Sequence, residues 1–155
     1  MHQQTTHLPL HQAGPALFTL RGLRYSYADG TPGLAGIDLE IFPGDRLALV
    51  GQNGAGKTTL AKHLNGLLSA DQGEVIYQGK LLAGRHLDQA RLEIGLLFQD
   101  PDDQLFCNTL REDVLFGPLN QGLGPAAAEE AAAAALKSVS LIEEAHRPPH
   151  SLSYG

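Results

Sequence analysis

The stretch that decides the fold is Arg46-Leu47-Ala48-Leu49-Val50, followed at once by Gly51-Gln52-Asn53-Gly54-Ala55-Gly56-Lys57-Thr58. The first five residues have an apolar centre and predict a buried strand of a parallel sheet. The next eight match the phosphate-loop pattern G-x-x-x-x-G-K-[ST] at every position. Residues 59–68 predict a helix whose apolar face carries Leu60, Leu64, Leu67 and Leu68. A strand, a glycine loop and a helix in this order are the context that such a motif requires.

The chemistry of this loop follows from its residue types. Glycines allow backbone conformations that a Cβ would block, so successive N–H groups can point inward around a phosphate. The positive end of the following helix adds to this attraction. Lys57 is placed to reach terminal phosphates, and the hydroxyl of Thr58 is a Mg²⁺ ligand. The alternative, an ordinary glycine-rich turn, does not explain the flanking strand and helix, so we expect a nucleoside triphosphate site.

The composition and charge of the chain narrow the classes of protein to which it could belong. A chain of 155 residues can form one domain with a real core, and its net charge of −6 argues against a general affinity for nucleic acid. It contains no apolar run of membrane-spanning length and no N-terminal signal-peptide pattern. A single cysteine, Cys107, suits a reducing compartment and is expected to act as a small hydrophobic residue rather than a nucleophile. Residues 1–15 contain scattered histidines, but we expect a disordered leader rather than a metal site.

The order of the remaining elements predicts an α/β fold. Alternating residues at 16–27 and 34–41 predict two strands of an antiparallel hairpin ahead of the phosphate loop. Further strands are expected at 74–78 and, as a buried parallel strand, at 94–98, with a short helix at 86–92 between them. Thr109 is expected to cap a helix that stops at Gly117-Pro118. Pro125 should open an alanine-rich helix that ends at about residue 137.

Four features in the right order resemble the ATP-binding subunit of an ABC transporter. Tyr27 lies upstream of the phosphate loop at the position where such ATPases stack adenine, and the loop itself comes second. Gln99 is similar to the glutamine that touches Mg²⁺ and senses the membrane partner. Leu152-Ser153-Tyr154-Gly155 resembles the start of the signature motif Leu-Ser-Gly-Gly, from which it departs at Tyr154. The resemblance implies a P-loop NTPase core of ABC ATPase type with a helical subdomain.

The residues around Gln99 indicate which members of this family the chain resembles. Residues 98–106 and 112–118 are similar to the ATPases of cobalt/nickel and energy-coupling-factor (vitamin uptake) transporters. This implies an uptake transporter subunit that works with a transmembrane subunit and a second ATP-binding subunit. It also implies a cytoplasmic location, peripheral on the inner face of the cell membrane. A nucleic-acid partner is not expected.

The resemblance also assigns roles to individual residues. Thr58 and Gln99 would contact Mg²⁺, and Ser153 and Gly155 would face the ATP held by the opposite subunit. The residues implied in ATP binding are Tyr27, Gly51, Gln52, Asn53, Gly54, Ala55, Gly56, Lys57, Thr58 and Thr59.

Hydrolysis is not expected from these 155 residues alone. In the family that the chain resembles, an apolar strand ending in Asp-Glu and a later His follow the signature motif. Neither is present in these 155 residues. Glu143-Glu144 lies in a polar stretch and is no substitute. Residues 16–155 are therefore expected to be the N-terminal part of the domain, incomplete at the C-terminus. Two alternatives stay open: another phosphate-loop enzyme, such as a small-molecule kinase or GTPase, and a non-catalytic nucleotide-binding fragment.

Overall fold

The computed structural model describes residues 14–98, 100 and 104–152. The chain divides after Leu96 into two compact units, each described by itself. The first unit contains β1 (Phe18–Ser26), β2 (Pro32–Ile41), α1 (Lys57–Leu64), β3 (Gln72–Tyr77), β4 (Lys80–Leu81) and α2 (Gly84–Glu93). The second contains α3 (Leu110–Asn120), α4 (Pro125–Ser138) and the short 3₁₀ helices Ile142–Glu144 and Pro149–Ser151.

The sheet of the first unit is antiparallel, with strand order β2-β1-β3-β4. The predicted hairpin is confirmed, because β1 pairs with β2 along most of its length. The alternation along β1 is interrupted at Gly22, which has a φ of +55° and whose N–H donates to Asp38 Oδ1 at 2.7 Å. This bulge resets the pattern, so Leu20 and Leu23 are both buried although they are three residues apart.

One apolar core joins the sheet to the helices of the first unit. Leu60 of α1 and Ala90 of α2 are buried in the same cluster as the strand residues. Tyr77 is buried at the end of β3, and its hydroxyl donates to Glu93 Oε2 at 2.8 Å. Burial and this carboxylate raise the pKa of Tyr77. The strand residues of the core are Phe18, Leu20, Leu23, Leu34, Leu39, Val75 and Tyr77.

Two predicted strands are absent from the described part of the chain. Residues 46–50 and 94–98 form no ladder, and each prediction of a buried parallel strand is wrong for this structure. Val50 is 93% exposed and Leu97 is 81% exposed. A strand depends on a neighbour that accepts its backbone hydrogen bonds, and the described strands pair only with one another in the antiparallel sheet.

The helix after the phosphate loop is shorter than predicted. It ends at Leu64, and Gly66 follows in the left-handed region with a φ of +72°. The N–H of Leu67 then bonds to the carbonyl of Lys62, which closes the helix end. Leu67 is consequently 48% exposed, so its expected place on the apolar face is wrong.

The second unit begins with a capped helix, as predicted. The hydroxyl of Thr109 accepts from the N–H of Glu112, and the Glu112 carboxylate accepts from the N–H of Thr109, which is a complete capping box. The predicted stop at Gly117-Pro118 is wrong, because α3 continues to Asn120 with Pro118 inside it. Proline removes only its own N–H, while the carbonyls of Gly117 and Pro118 still accept bonds from Gln121 and Leu123.

Small side chains bring α4 against α3. The residues buried along α4 follow a four-residue spacing: Ala128, Ala132 and Leu136. Arg111 of α3 donates from Nε to Glu129 Oε2 at 3.0 Å and also from Nη2 to Oε1 of the same carboxylate. Among the described residues, no helix has the length and apolar character needed to cross a membrane.

Candidate phosphate-binding site

The phosphate loop leads directly into α1, as its sequence predicts. Gly54 and Gly56 have φ values of +80° and +86°, in the left-handed region that favours glycine. Gly56 occupies the cap position, its carbonyl accepts from the N–H of Leu60 at 2.8 Å, and α1 begins at Lys57. Left-handed residues within a turn aim successive N–H groups into a shared concavity, so this backbone suits an anion.

Lys57 folds back over the loop that precedes it. Its ammonium donates to the carbonyl of Gly51 at 2.8 Å and to the carbonyl of Gln52 at 2.8 Å. An ammonium held by two backbone carbonyls is kept close to the loop amides rather than extended into water. The positive charge is therefore concentrated over the loop.

No acidic side chain offsets this charge at the start of α1. The first turn of the helix contains no Asp or Glu, so the partial positive charge of its N-terminal end is uncompensated there. Thr58, the expected Mg²⁺ ligand, is exposed in this turn. The loop, the ammonium and the helix end together form a site for a negatively charged oxygen-rich group.

The loop is fastened to the hairpin by a close glycine contact. A Cβ at Gly56 would lie 2.5 Å from the carbonyl oxygen of Gly33 and 3.2 Å from Leu34 Cδ2. The backbone of β2 therefore approaches the loop so closely that only glycine fits at this position. The antiparallel sheet thereby fixes the place of the phosphate loop.

Tyr27 lies beside α1, the helix that follows the phosphate loop. Its hydroxyl lies 2.6 Å from Thr59 Oγ1, and the residue is 41% exposed. The turn that follows is held by the N–H of Thr31, which donates to Asp29 Oδ1 at 2.9 Å; this bond lowers the pKa of Asp29. The structure thus places a partly exposed aromatic ring beside the helix that leaves the phosphate loop.

The sequence did not predict the residues that pack behind Tyr27, on the side of α1. Tyr25 meets Tyr27 edge-on at a centroid distance of 5.1 Å and His63 at 4.9 Å. His63 is 1% exposed, and its Nδ1 lies 2.8 Å from the carbonyl oxygen of Thr59. Gly33 lies against the same group, since a Cβ there would meet Tyr25 Cδ1 at 2.9 Å. The two-residue spacing of Tyr25 and Tyr27 was the one available signal, whereas nothing in the sequence pointed to Gly33.

Several predicted site residues lie outside the described residues, namely Gln99, Ser153 and Gly155. In the second unit, the Glu144 carboxylate accepts a hydrogen bond from Arg147 at 2.8 Å. Within the described part of the chain, no group of His, Cys, Asp or Glu side chains could hold a metal ion. Burial and the Asp113 carboxylate raise the pKa of the Cys107 thiol, which keeps it protonated and disfavours a nucleophilic role.

Comparison with known proteins decides the family. The sequence profile of the ABC transporter family matches residues 34–155. The chain belongs to the ABC transporter family. The match includes the phosphate loop. It begins at the residue that follows Gly33.

Individual relatives agree with this assignment. The chain is 48% identical to the energy-coupling factor transporter ATP-binding protein EcfA of Methanothermobacter thermautotrophicus, over 90% of this chain and 45% of that protein. It is 42% identical to EcfA of Methanococcus maripaludis, over 90% of this chain and 51% of that protein. The chain spans about half the length of the curated relatives it matches.

A solved ABC protein also shares the fold. The structure is similar to that of cbiO1 from Clostridium perfringens, described as part of the ABC transporter complex cbiONQ, with a TM-score of 0.78 and 35% identity. The alignment covers 90% of this chain and 56% of that chain. The predicted ABC ATPase-like α/β fold is therefore confirmed.

Proposed function

We propose that this chain is the ATP-binding part of an ABC uptake transporter of the energy-coupling-factor type. The observation that carries the proposal is the phosphate loop at the start of α1, with the Lys57 ammonium held over it by the carbonyls of Gly51 and Gln52. A triphosphate offers oxygens that can replace these carbonyls as acceptors. Lys57 would then move from a loop-bound to a phosphate-bound position over a short distance.

The residues present fit ATP with Mg²⁺. The loop amides and Lys57 would hold the phosphates, and the exposed hydroxyl of Thr58 would be a ligand of the metal ion. Mg²⁺ would neutralise charge on the phosphate oxygens. Gln99 would complete the metal site, and Ser153 and Gly155 would contact the nucleotide bound by a second ATP-binding subunit. Tyr27 would stack on adenine, because its ring is partly exposed beside α1.

The membrane partner would dock on the second unit. Phe106 and Phe116 meet edge-on at 4.8 Å and are 65% and 49% exposed, and Leu119 on the same helix as Phe116 is 47% exposed. We propose that this apolar surface receives a cytoplasmic helix of the transmembrane subunit, at the inner face of the membrane. Support comes from the structural neighbour cbiO1, which is described as part of a transporter complex. The proposed cargo is a cobalt or nickel ion or a vitamin.

Hydrolysis of ATP would need carboxylates other than those of the residues that the structure describes. Glu144 is paired with Arg147, and Glu143 lies beside it in a short 3₁₀ helix of the second unit. We propose that residues 1–155 supply the nucleotide-binding site but not the groups that activate water.

The test is titration calorimetry of ATP with Mg²⁺ on the full-length protein. Lys57→Ala should weaken ATP binding at least tenfold, because a charge-assisted hydrogen bond to phosphate is worth about 1.5–3 kcal/mol. Lys62→Ala is the matched control, since Lys62 lies on the same helix five residues further on. Its affinity should equal that of the wild type. An unchanged affinity for Lys57→Ala would refute the phosphate-loop assignment.

A further inference from the structure

A cavity of about 200 Å³ lies within the first unit, where the end of α1 meets β3, β4 and the start of α2. In the part of the chain that the structure describes, its lining residues begin at His63, so it is separate from the phosphate loop. A cavity of about 150 Å³ can hold one benzene ring, so this volume suits a molecule with a single ring. Most of its wall is apolar and is formed by Leu68, Ala70, Val75, Leu81, Leu82 and Leu87.

One of the lining side chains, His63, contains a hydrogen-bond acceptor that is not used. The residue is 1% exposed, and its Nδ1 lies 2.8 Å from the carbonyl oxygen of Thr59. A carbonyl oxygen only accepts, so Nδ1 carries the ring hydrogen, and in the neutral imidazole the other nitrogen, Nε2, is an acceptor. Nε2 is buried and has no hydrogen-bond partner among the described residues. Because a buried acceptor without a donor is unfavourable, the ring favours a ligand that donates a hydrogen bond.

The walls of the cavity favour a neutral ligand. Apolar side chains cannot replace the hydration of an ion, so burying a charged ligand against them is costly. Glu74, an acidic residue of the wall, is already bonded to Arg21 at 3.2 Å. Leu81 is 54% exposed, so the wall formed by β4 borders on solvent and gives a ligand a way in.

We propose that this cavity is a binding site for a small neutral molecule with one apolar ring and one hydroxyl group. The hydroxyl donates to Nε2 of His63, and the ring packs against the leucines of the wall. The inference stands on the cavity and on His63, and it does not depend on the proposed ATP-binding function. ATP and such a molecule are expected to bind at the same time.

The experiment is titration calorimetry of phenol and of toluene on the full-length protein, with and without a non-hydrolysable ATP analogue and Mg²⁺. Toluene has the shape of phenol but a methyl group in place of the hydroxyl, so it reports on the apolar part of the site alone. We expect phenol to bind with a dissociation constant of about 1 mM or lower. The ATP analogue should leave this value unchanged, because the two sites are separate.

His63→Phe keeps an aromatic ring and removes the acceptor. It should weaken phenol binding about three- to tenfold, the range expected for loss of one hydrogen bond, without weakening toluene binding. His86→Phe is the matched control, because the Nε2 of His86 is already 3.0 Å from the carbonyl of Tyr77 and this residue is not part of the cavity wall. Its phenol affinity should equal that of the wild type. Ala70→Leu fills part of the cavity and should weaken the binding of both molecules.

Four results would overturn the inference. They are no binding of phenol to the wild type, loss of phenol binding when the ATP analogue is present, an unchanged phenol affinity in His63→Phe, and an equal loss of phenol and toluene in that variant. If His63→Phe does not fold, Ala70→Leu decides the question. Weaker binding of both molecules in Ala70→Leu places them in the cavity, whereas unchanged affinities place them elsewhere and contradict the proposal.

Discussion

At the scale of single residues, the site depends on glycines that admit close contacts. Gly33 is the clearest case, because its backbone lies between the phosphate loop and the Tyr25–Tyr27 pair. Its carbonyl oxygen occupies the space that a Cβ on Gly56 would need, and its own Cα faces Tyr25 and Thr59. One residue thereby sets the distance between the hairpin, the loop and α1.

We expect Gly33→Ala to disturb both stability and nucleotide binding. The added Cβ would lie 2.9 Å from Tyr25 Cδ1 and 3.2 Å from Thr59 Cγ2, so these side chains must move. Overpacking of this kind costs about 1–3 kcal/mol of unfolding free energy. Urea unfolding and ATP titration of the full-length protein would measure the two effects.

Gly95→Ala provides the control for this substitution, since a Cβ at Gly95 meets nothing within 4 Å. It should leave both stability and ATP affinity close to the wild type. Wild-type stability in Gly33→Ala would show that the tyrosines yield freely, which would contradict the tight packing described around Thr59.

At the scale of secondary structure, the hairpin and the cap of α3 were predicted correctly, whereas two strands and the ends of α1 and α3 were not. The hairpin strands and the Thr109 cap could be predicted because alternation and capping depend on residues close in sequence. The strands expected at 46–50 and 94–98 are not formed, because a strand depends on partners that local sequence does not specify. The Tyr27–Thr59 bond escaped prediction for the same reason, since it joins distant residues.

The capping box of α3 gives a prediction at this scale. Thr109→Ala removes the hydroxyl that accepts from the N–H of Glu112, so the first turn of α3 should fray. The expected loss is about 1 kcal/mol, typical for removal of an N-cap side chain. Amide hydrogen exchange should show faster exchange at Glu112 in this variant.

Thr109→Ser should behave as the wild type, because serine keeps the capping hydroxyl. The amides of Leu110 and Arg111 offer an internal reference, since they donate to the carbonyls of Arg147 and Ala145 rather than to the cap. Unchanged exchange at Glu112 in Thr109→Ala would contradict the role given to this capping box.

At the scale of the whole molecule, two units carry different parts of the proposed work. The unit that ends at Leu96 contains the phosphate loop, the antiparallel sheet and Tyr27. The unit that begins at Leu97 contains the helix pair with the exposed Phe106–Phe116 surface. Substitutions in the first unit are therefore expected to change nucleotide binding. Substitutions in the second unit are expected to change the coupling to a membrane partner.

The exposed segment 46–50 and the partly exposed segment 94–98 also matter at this scale. Val50 and Leu97 present apolar surface to water next to backbone that no described strand pairs. A polypeptide limited to residues 1–155 is accordingly expected to aggregate or to stay partly unfolded and to release no phosphate from ATP. This expectation concerns that polypeptide alone, while the binding site described here is local to residues 27–59.

The most direct test of the central claim is a crystal structure of the full-length protein with Mg²⁺ and a non-hydrolysable ATP analogue. We predict that Lys57 Nζ leaves the carbonyls of Gly51 and Gln52 and lies about 3 Å from oxygens of the terminal phosphates. Adenine should stack on the Tyr27 ring. A nucleotide bound elsewhere, with Lys57 still on the two loop carbonyls, would contradict the account.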